Sequence, residues 1–417
     1  MNKSKKIYVY DNFTENTPLL MGYLYVDIIK GKEAYSFEYD ENWLSVYSSV
    51  VNIDPDLAPF SGRQYSNDGE IFGLFADCSP DRWGRLLMIK RERNTADREN
   101  RNPNRLLSSD FLLGVYDKTR MGGIRLKLLP DGSFLSDDTD EPIPAWTTLR
   151  ELEYAARNFE TEKPGENKAL IEQLIRPGSS LGGARPKATV IDTRGDLWIA
   201  KFPSHNDENN TGAWEKVASD LAKMCGLNVP ESKLEKFSKY GSTFLIKRFD
   251  REGEKRIHFA SAMTLLRKRD GASAVDGSGY LDIVSFIKAN GSNPKGDLEE
   301  LWRRIVFNMA VSNTDDHLRN HAFIFDKNGW RLSPLYDVNP VPYGNALSLN
   351  VSQTDNTISK ELALAVSYYF GIEKSNAVLK LENIVNTVRN NWESLAKKYN
   401  ITRKEIEDMR PAFYNLQ

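Results

Sequence analysis

A short polar loop late in the chain constrains the possible folds more than any other feature of this sequence. The loop reads N-T-D-D-H-L-R-N from Asn313 to Asn320 and follows an amphipathic helical pattern that Asp297 is predicted to cap. Two β-like runs joined by an N-G turn come next, and they lead to Asp337. A helix, an acidic loop and a hairpin are thus predicted to follow one another directly along the chain.

The spacing within this loop indicates a reaction class. Asp315 and Asn320 are five residues apart, the D-x-x-x-x-N spacing of a protein-kinase catalytic loop, and Asp337 follows one hairpin later. Phosphoryl transfer needs a carboxylate that accepts the hydroxyl proton, and an amide and a second carboxylate whose oxygens suit Mg²⁺.

Two other interpretations of the loop compete with this one. Asp315, Asp316 and Asn320 could simply cap turns, as these residue types often do. Asp315, Asp316 and His317 could instead form the metal cluster of a hydrolase. That cluster lacks further ligands at suitable spacing, because the chain has only three other histidines: His205, His258 and His321.

A glycine-containing segment lies far upstream of this loop. It reads S-S-L-G-G-A-R-P-K from Ser179 to Lys187, so that Gly182 and Gly183 would let backbone N–H groups approach an anion. Arg185 and Lys187 would add positive charge. The segment matches neither a Walker A loop nor G-x-G-x-x-G, and taken alone it is equally well read as a turn.

A lysine and a glutamate complete the kinase order. Lys201 ends the apolar run L-W-I-A-K after a predicted R-G hairpin turn. It is either the phosphate-pairing lysine of a kinase, which follows such a run, or a strand-end lysine that points to solvent. A helix predicted from Gly212 to Cys225 carries Glu215 in its first turn, where the carboxylate could orient Lys201 or simply favour the helix N-terminus. The apolar face of this helix is predicted to contain four residues: Trp214, Val217, Leu221 and Met224.

Length and composition limit the remaining possibilities. The 417 residues are too many for one core, and 40% hydrophobic with 27% charged residues excludes a disordered or fibrous chain. The two cysteines are predicted to be buried thiols in a reducing compartment. With no signal-like start and no apolar run near the ~18 residues of a membrane helix, we expect a cytoplasmic protein without membrane contact.

Charge argues against a dedicated nucleic-acid binder. Lys and Arg number 56 against 58 Asp and Glu, a net charge of −2. One local exception is the stretch 81–105, which contains eight basic residues and only four acidic ones. A helix is predicted at the start of this stretch, with Pro80 in its first position. The stretch is either a solvated helix face or a surface for an anion or a partner.

Taken together, the quoted segments resemble the HipA family, the serine/threonine-protein kinase toxins of bacterial type II toxin–antitoxin systems. Further matches lie in the amino-terminal part, at G-L-F-A-D-C-S-P-D from Gly73 to Asp81 and around Gly122 and Gly123. The matching kinase segments are S-L-G-G-A-R-P-K from Ser180, I-A-K-F-P from Ile199, G-L-N-V-P from Gly226, K-R-F-D-R from Lys247, the loop from Asn313, and L-Y-D from Leu335.

The resemblance implies an α+β fold: a small β-rich amino-terminal domain followed by a two-lobed protein-kinase-like fold with a β-rich N-lobe and an all-helical C-lobe. We expect the amino-terminal domain over 1–145, where an acidic, Pro-containing stretch ends it, the N-lobe over 146–250 and the C-lobe over 251–417.

The resemblance also implies roles for individual residues. Asp315 would be the catalytic base, Asn320 and Asp337 the Mg²⁺ ligands, and Ser180 the autophosphorylation site, with adjacent Ser179 left open. Asp316 departs from members that carry a small or neutral residue there, and it could shift the pKa or the metal preference of the site. The implied ATP-binding residues are Ser180, Gly182, Gly183, Lys187, Lys201, Lys247, Phe249, His317 and Tyr336.

Partners follow from the resemblance as well. It implies a helix-turn-helix antitoxin of the HipB type, which would supply most of the contact with DNA. The implied substrate is an aminoacyl-tRNA synthetase such as glutamyl-tRNA synthetase, and the implied cofactors are ATP and Mg²⁺. Two alternatives remain open: a catalytically weak kinase fold that serves as corepressor with the antitoxin, and a kinase of small molecules or lipids.

Overall fold

The computed structural model describes residues 4–48, 52–135, 143–161, 174, 183–326 and 328–416. The chain divides into two compact units. The first contains residues 1–206 and the later segment 247–260, and the second contains 207–246 and 261–417. The first unit is therefore discontinuous in sequence.

The described helices and strands have the following bounds. The helices are α1 (Glu41–Tyr47), α2 (Gly73–Asp77), α3 (Arg82–Arg98), α4 (Ser108–Leu113), α5 (Leu149–Thr161), α6 (Thr211–Met224), α7 (Ala262–Leu265), α8 (Tyr280–Asn290), α9 (Pro294–Ala310), α10 (Lys360–Val366), α11 (Lys374–Lys398) and α12 (Arg403–Met409). The strands are β1 (Lys5–Asp11), β2 (Leu19–Ile29), β3 (Lys32–Tyr39), β4 (Gln64–Tyr65), β5 (Ile124–Lys127), β6 (Lys187–Ile191), β7 (Leu197–Lys201), β8 (Ser232–Glu235), β9 (Thr243–Lys247), β10 (Arg251–Glu252), β11 (Lys255–Arg256), β12 (Phe259–Ser261), β13 (Ala322–Asp326) and β14 (Gly329–Leu332).

A five-stranded antiparallel sheet forms the amino-terminal part of the first unit, in the order β4-β3-β2-β1-β5. Alternate residues such as Ile7 and Val9 are fully buried, as the period of two in a half-buried strand requires. At Gly22 a Cβ atom would lie 2.3 Å from the carbonyl oxygen of Glu38, so the close pairing of β2 and β3 requires glycine there.

Helix α3 begins two residues later than predicted, at Arg82. Asp81 is its N-cap, with the side chain accepting a hydrogen bond from the Gly84 N–H at 2.7 Å, and Pro80 precedes the cap. The prediction that proline occupies the first helical position was therefore wrong. Within the basic stretch, the Arg101 guanidinium pairs with Glu92 and Glu99, both at 2.6 Å, which fits the interpretation as a solvated face at that position.

A tight hairpin carries the lysine strand in the first unit. β6 and β7 pair antiparallel with Lys187 opposite Lys201. The turn between them uses Gly195 at a φ of +86°, and the Asp192 carboxylate accepts hydrogen bonds from the N–H groups of Arg194 and Asp196. The predicted R-G hairpin turn is confirmed.

The second unit is mainly helical. Helix α6 matches the prediction to within one residue, and Gly226 follows it at a φ of +70°, as a C′ glycine should. Its predicted apolar face was wrong at Met224, which is 50% exposed, while Trp214, Val217 and Leu221 are buried. Among the described residues, none of the helices combines the length and apolar character needed to cross a bilayer.

The start of helix α9 was also predicted wrongly. The helix begins at Pro294, with the Asn293 side chain accepting a hydrogen bond from the Gly296 N–H. Asp297 lies in the first turn, where its carboxylate accepts hydrogen bonds from the Arg331 guanidinium and, at 3.0 Å, from the Leu332 N–H. Those bonds tie α9 to strand β14, a long-range use of Asp297 that a capping pattern does not reveal.

Candidate active site

The predicted catalytic loop follows α9 as a tightly folded turn. The Asp315 carbonyl oxygen accepts hydrogen bonds from the His317 N–H at 3.0 Å and from Asn320 Nδ2 at 3.1 Å. The Asn320 N–H donates in turn to the His317 carbonyl at 2.8 Å. Asp315 and Asn320, five residues apart in sequence, are thus joined directly, and the donor end of the Asn320 amide is engaged within the loop.

Asp315 and the adjacent Asp316 lie in different environments. Asp315 is exposed, whereas Asp316 is 1% exposed. The Asp316 carboxylate accepts hydrogen bonds from Tyr280 Oη and from Asn308 Nδ2 at 2.7 Å, and it lies 2.8 Å from His321 Nε2. Three partners from other parts of the second unit satisfy this buried carboxylate, so it anchors the loop.

The charges around Asp315 suit a proton acceptor. Partial burial raises the pKa of Asp315 above its ordinary value, the His317 ring opposes that rise, and the carboxylates of Asp337 and Asp316 add to it. Asp316 thus influences the pKa of Asp315, as the sequence suggested, although its contribution is the smallest of the four. A carboxylate whose pKa is raised holds a proton more strongly, which is useful in a general base.

The hairpin β13–β14 delivers Asp337 to this site. The Arg304 guanidinium donates to the Ser333 carbonyl at 2.7 Å, and the Leu335 N–H donates to the Asn228 carbonyl at 2.8 Å. Asp337 itself has a φ of +57°, the left-handed region that is uncommon outside glycine. The hydroxyl of Tyr336 donates to the Arg319 carbonyl at 2.7 Å, which ties the segment to the catalytic loop.

Glu215 lies on the same side of the second unit as Asp337. It is 4% exposed on α6 and lines a small cavity together with Phe244, Tyr336 and Asp337. The second unit therefore brings together six of the predicted site residues: Glu215, Asp315, His317, Asn320, Tyr336 and Asp337.

A second cavity, of about 190 Å³, adjoins Asp315. Its lining includes His317, Arg319, Arg269 and Ser348. Arg319 pairs with Asp270, and both side chains of that ion pair are largely exposed. The exposed face of Asp315 thus opens onto a space large enough for a hydroxyl-bearing side chain.

The predicted phosphate-binding residues lie in the first unit. Lys201 ends β7, as predicted. Lys187 is 2% exposed, and its ammonium pairs with the Asp81 carboxylate at 2.9 Å, so a role in nucleotide binding would require this buried ion pair to open. Gly183 has a φ of +86°. Ser179, Ser180 and Gly182 lie outside the described residues.

The predicted adenine-binding residues lie at the end of β9, where Lys247 is the last strand residue, and two positions later at Phe249. The Lys247 ammonium pairs with Asp196 at 2.6 Å and remains partly exposed. The Phe249 ring lies 6.2 Å from the ring of Phe259. Since the expected contact with adenine is made mostly by backbone atoms, the ion pair of Lys247 does not conflict with it.

The donors available for a metal fit Mg²⁺. The Asn320 amide oxygen and the Asp337 carboxylate are hard oxygen donors, and Mg²⁺ commonly takes only one or two protein ligands beside phosphates and water. In the described part of the chain, no group of three or more His, Cys, Asp or Glu side chains could hold a metal ion. The hydrolase interpretation required such a group at Asp315, Asp316 and His317, and Asp316 is instead occupied by Tyr280, Asn308 and His321.

The network below the loop was missed in the sequence. Tyr280, Asn308 and His321 support Asp316, and Arg304 supports the segment leading to Asp337. One signal was available: Arg304 and Asn308 are four residues apart among the apolar positions of α9, and both are buried. Polar residues on a helix face that is otherwise apolar indicate buried partners.

Comparison with known proteins shows which family this chain belongs to. The model of the HipA-like C-terminal domain matches residues 179–393, about half of the chain. A protein of Haemophilus influenzae named "Putative kinase" is 29% identical over 214 residues, which are 46% of this chain and 60% of that protein. The serine/threonine-protein kinase toxin HipA of Shewanella oneidensis is 24% identical over 244 residues, 51% of this chain and 52% of the toxin. This chain therefore spans only about half to three fifths of either relative.

A solved structure confirms the fold. HipA of Shewanella oneidensis, determined with HipB and its operator DNA, aligns with a TM-score of 0.69 over 98% of this chain and 95% of that one, at 15% identity. The α+β fold with a kinase-like architecture is therefore confirmed. The expectation of an all-helical C-lobe was wrong at the hairpin β13–β14, the β element that the sequence placed after the catalytic loop.

Proposed function

Since the chain belongs to the HipA family, we propose that it is an ATP- and Mg²⁺-dependent serine/threonine protein kinase and the toxin of a toxin–antitoxin pair. The observation that carries this proposal is the loop in which Asn320 Nδ2 binds the Asp315 carbonyl while Asp337 adds its charge to the surroundings of Asp315. That arrangement supplies a base and two oxygen ligands within one site.

Each predicted site residue of the second unit has its own role in the proposed reaction. Asp315 accepts the proton of a serine or threonine hydroxyl that enters the cavity beside it. Mg²⁺, held by Asn320 and Asp337, would neutralise charge on the phosphates. His317 and Tyr336 line the cavities beside these groups and would border the nucleotide.

The first unit supplies the expected nucleotide contacts. Lys201 would pair with the ATP phosphates, as the corresponding lysine does in protein kinases, and Glu215 is the candidate for the helix glutamate. Lys247 and Phe249 hold adenine through their backbone atoms. Gly182, Gly183 and, once its ion pair opens, Lys187 would border the phosphates.

Autophosphorylation at Ser180 would switch the enzyme off. A phosphate adds about −1.5 to −2 charges next to a loop meant for ATP phosphates, so it should repel the nucleotide or expel the loop. Binding of ATP with equal affinity by the phosphorylated and unmodified protein would contradict this proposal. Ser179→Ala and Ser180→Ala, compared one at a time, identify the acceptor.

Partners and substrate extend the proposal. The Shewanella relative was determined with HipB and operator DNA, so a HipB-like antitoxin is the expected partner and should supply most of the DNA contact for this nearly neutral chain. The expected substrate is an aminoacyl-tRNA synthetase such as glutamyl-tRNA synthetase, and the expected compartment is the cytoplasm.

Phosphate transfer from radiolabelled ATP tests the proposed activity. Purified protein is incubated with ATP, Mg²⁺ and host lysate, alongside Asp315→Asn and the exposed control Asp408→Asn. Loss of the base should reduce transfer by about 10²- to 10⁴-fold, while the control retains it. Identification of the labelled band then names the target.

The alternatives predict different results in the same experiment. ATP binding without transfer in any sample would favour a catalytically weak corepressor. Label confined to small molecules or lipids would favour a kinase of small molecules or lipids. Equal labelling by Asp315→Asn and the unmodified protein would contradict the role of Asp315.

A further inference from the structure

The segment 247–260 belongs to the first unit, although it is separated from the rest of that unit by forty residues of the second. Its start alternates in burial. Lys247 and Phe249 are partly exposed, whereas Arg248 is 3% and Asp250 1% exposed. In an extended chain, alternate side chains point to opposite sides, so one face of this segment is available to a ligand while the other is packed inside the unit.

The buried face is held by an ion cluster centred on Asp250. Its carboxylate pairs with Arg248 and with Arg251, each at 2.7 Å. It also accepts a hydrogen bond from the Gly122 N–H at 2.8 Å. Burial alone would raise the pKa of Asp250, but the two guanidinium groups hold it well below its ordinary value, so the carboxylate stays charged.

The same guanidinium groups bind backbone carbonyls of an amino-terminal loop. Arg248 Nη1 donates to the Thr119 carbonyl at 2.7 Å, and Arg251 Nη2 donates to the Arg120 carbonyl at 2.6 Å. Arg251 Nη1 donates to the Gly122 carbonyl at 3.1 Å. Carbonyls have fixed positions in a folded loop, so these bonds determine where the backbone of 248–251 lies.

Gly122 packs closely against the segment 247–260. Its φ is +74°, and an added Cβ would lie 3.2 Å from the Phe259 N–H nitrogen. A residue with a side chain would therefore be strained in the backbone and would press on the same segment it now holds. We call the interaction between the loop 119–122 and the segment 248–251 the clamp. It depends on one specific residue on each side: Gly122 in the loop and Asp250 in the segment.

We propose that Asp250 and the loop 119–122 position the backbone that binds the nucleotide at Lys247 and Phe249. The amino-terminal domain would then be part of the nucleotide site, acting through its hold on the other face of the segment. The inference rests on the proposed kinase function, since it takes the adenine contacts of Lys247 and Phe249 from there. Asp250 is a positioning residue in this proposal and does not contact the substrate.

Two variants break the clamp from opposite sides. Asp250→Asn removes the charge that Arg248 and Arg251 share, and Gly122→Ala distorts the amino-terminal loop. Each is paired with a control in the same unit. Asp54→Asn alters another buried carboxylate, which accepts a hydrogen bond from the Leu74 N–H at 2.8 Å. Gly31→Ala carries a similar backbone penalty, at a φ of +77° in a turn with open space around it.

The measurement is the Kd of a fluorescent, non-transferable ATP analogue, together with the unfolding midpoint in urea. We expect Asp250→Asn and Gly122→Ala to raise the Kd about tenfold, whereas the controls keep the original Kd even where they lower the midpoint. In transfer assays, the KM for ATP should rise with the Kd while kcat stays within about twofold, because Asp315 and its loop are unaffected.

The outcomes separate the inference from the proposed function. No binding of the analogue by the unmodified protein would contradict the kinase function itself. Binding by the unmodified protein with an unchanged Kd in Gly122→Ala and in folded Asp250→Asn would overturn the positioning role alone. If Asp250→Asn does not fold, Gly122→Ala decides the question, because it leaves every ion pair of the cluster chemically intact.

Discussion

His321 Nε2 lies 2.8 Å from the carboxylate of Asp316, beneath a loop whose preceding residue is the exposed Asp315. The two adjacent aspartates thus divide the work of the loop: one is available for chemistry and the other holds the backbone in place. Because Asp316 is fully buried, its removal leaves Tyr280 and Asn308 without their acceptor.

Asp316→Ala should therefore destabilise the second unit strongly. We expect a loss of about 3 to 5 kcal/mol in the free energy of unfolding, because the partners of a buried charge are left uncompensated. Urea denaturation followed by tryptophan fluorescence measures it. Asp315→Asn is the control and should change stability by less than about 0.5 kcal/mol while reducing transfer by about 10²- to 10⁴-fold. Equal stability losses in the two variants would contradict this division of work.

Asn320→Ala should raise the Mg²⁺ requirement. The amide oxygen of Asn320 is one of two proposed ligands, so its loss should increase the Mg²⁺ concentration for half-maximal transfer by about tenfold. The measurement is transfer rate against Mg²⁺ at saturating ATP. Asn328→Ala, in the exposed turn between β13 and β14, should leave the titration unchanged. An unchanged titration in Asn320→Ala would remove Asn320 from the metal site.

His258 should make stability depend on pH. Its ring stacks on Phe13 at 4.4 Å and is 2% exposed, and burial lowers its pKa from 6.5 to about 3. Below pH 6.5 His258 takes up a proton in the unfolded chain but not in the folded one. The contribution of the neutral His258 ring to the free energy of unfolding is therefore complete above pH 6.5 and is lost as the pH falls toward 3.

Replacement by phenylalanine tests this dependence. Relative to His258→Phe, the unmodified protein should lose up to about 1.4 kcal/mol of unfolding free energy per pH unit in that window. Urea denaturation at several pH values gives the slope, and His205→Phe, at an exposed position, should reproduce the slope of the unmodified protein. Parallel slopes for His258→Phe and the unmodified protein would show that His258 does not titrate as described.

The Lys187–Asp81 ion pair should show energetic coupling. Asp81→Asn keeps the cap of α3 but leaves the buried ammonium of Lys187 without its counter-charge. Lys187→Met leaves the Asp81 carboxylate without its counter-charge in the same way. A double-mutant cycle in urea should give a coupling of roughly 1 to 3 kcal/mol, with the double variant more stable than additivity predicts. If Lys187 instead serves mainly the nucleotide, Lys187→Met would weaken ATP binding while the cycle shows no coupling.

Local features of this fold were readable from the sequence. The span of α6, the turn at Gly195 and the hairpin after the catalytic loop follow from apolar spacing and turn residues that lie within a few positions of one another. The spacing of Asp315 and Asn320 likewise predicted that the two residues belong to one loop, and a hydrogen bond from Asn320 Nδ2 to the Asp315 carbonyl joins them.

Long-range pairs were not readable. Lys187 resembles a phosphate-binding lysine in sequence, and only the fold brings Asp81 to it across 106 positions. Asp316 resembles a second metal ligand until the loop turns it away from Asp315. The K-R-F-D-R segment gave no sign that Asp250 would bind Gly122, because charge alternation in a linker does not indicate which backbone it will meet.

The discontinuity of the first unit has a consequence for the order of events during synthesis. Gly122 leaves the ribosome 128 residues before Asp250, its partner in the clamp. Until the segment 247–260 follows, the carbonyls of Thr119, Arg120 and Gly122 lack the guanidinium donors that they bind in the finished protein. The loop 119–122 can therefore complete its hydrogen bonding only once the segment 247–260 has been translated, after more than half of the chain.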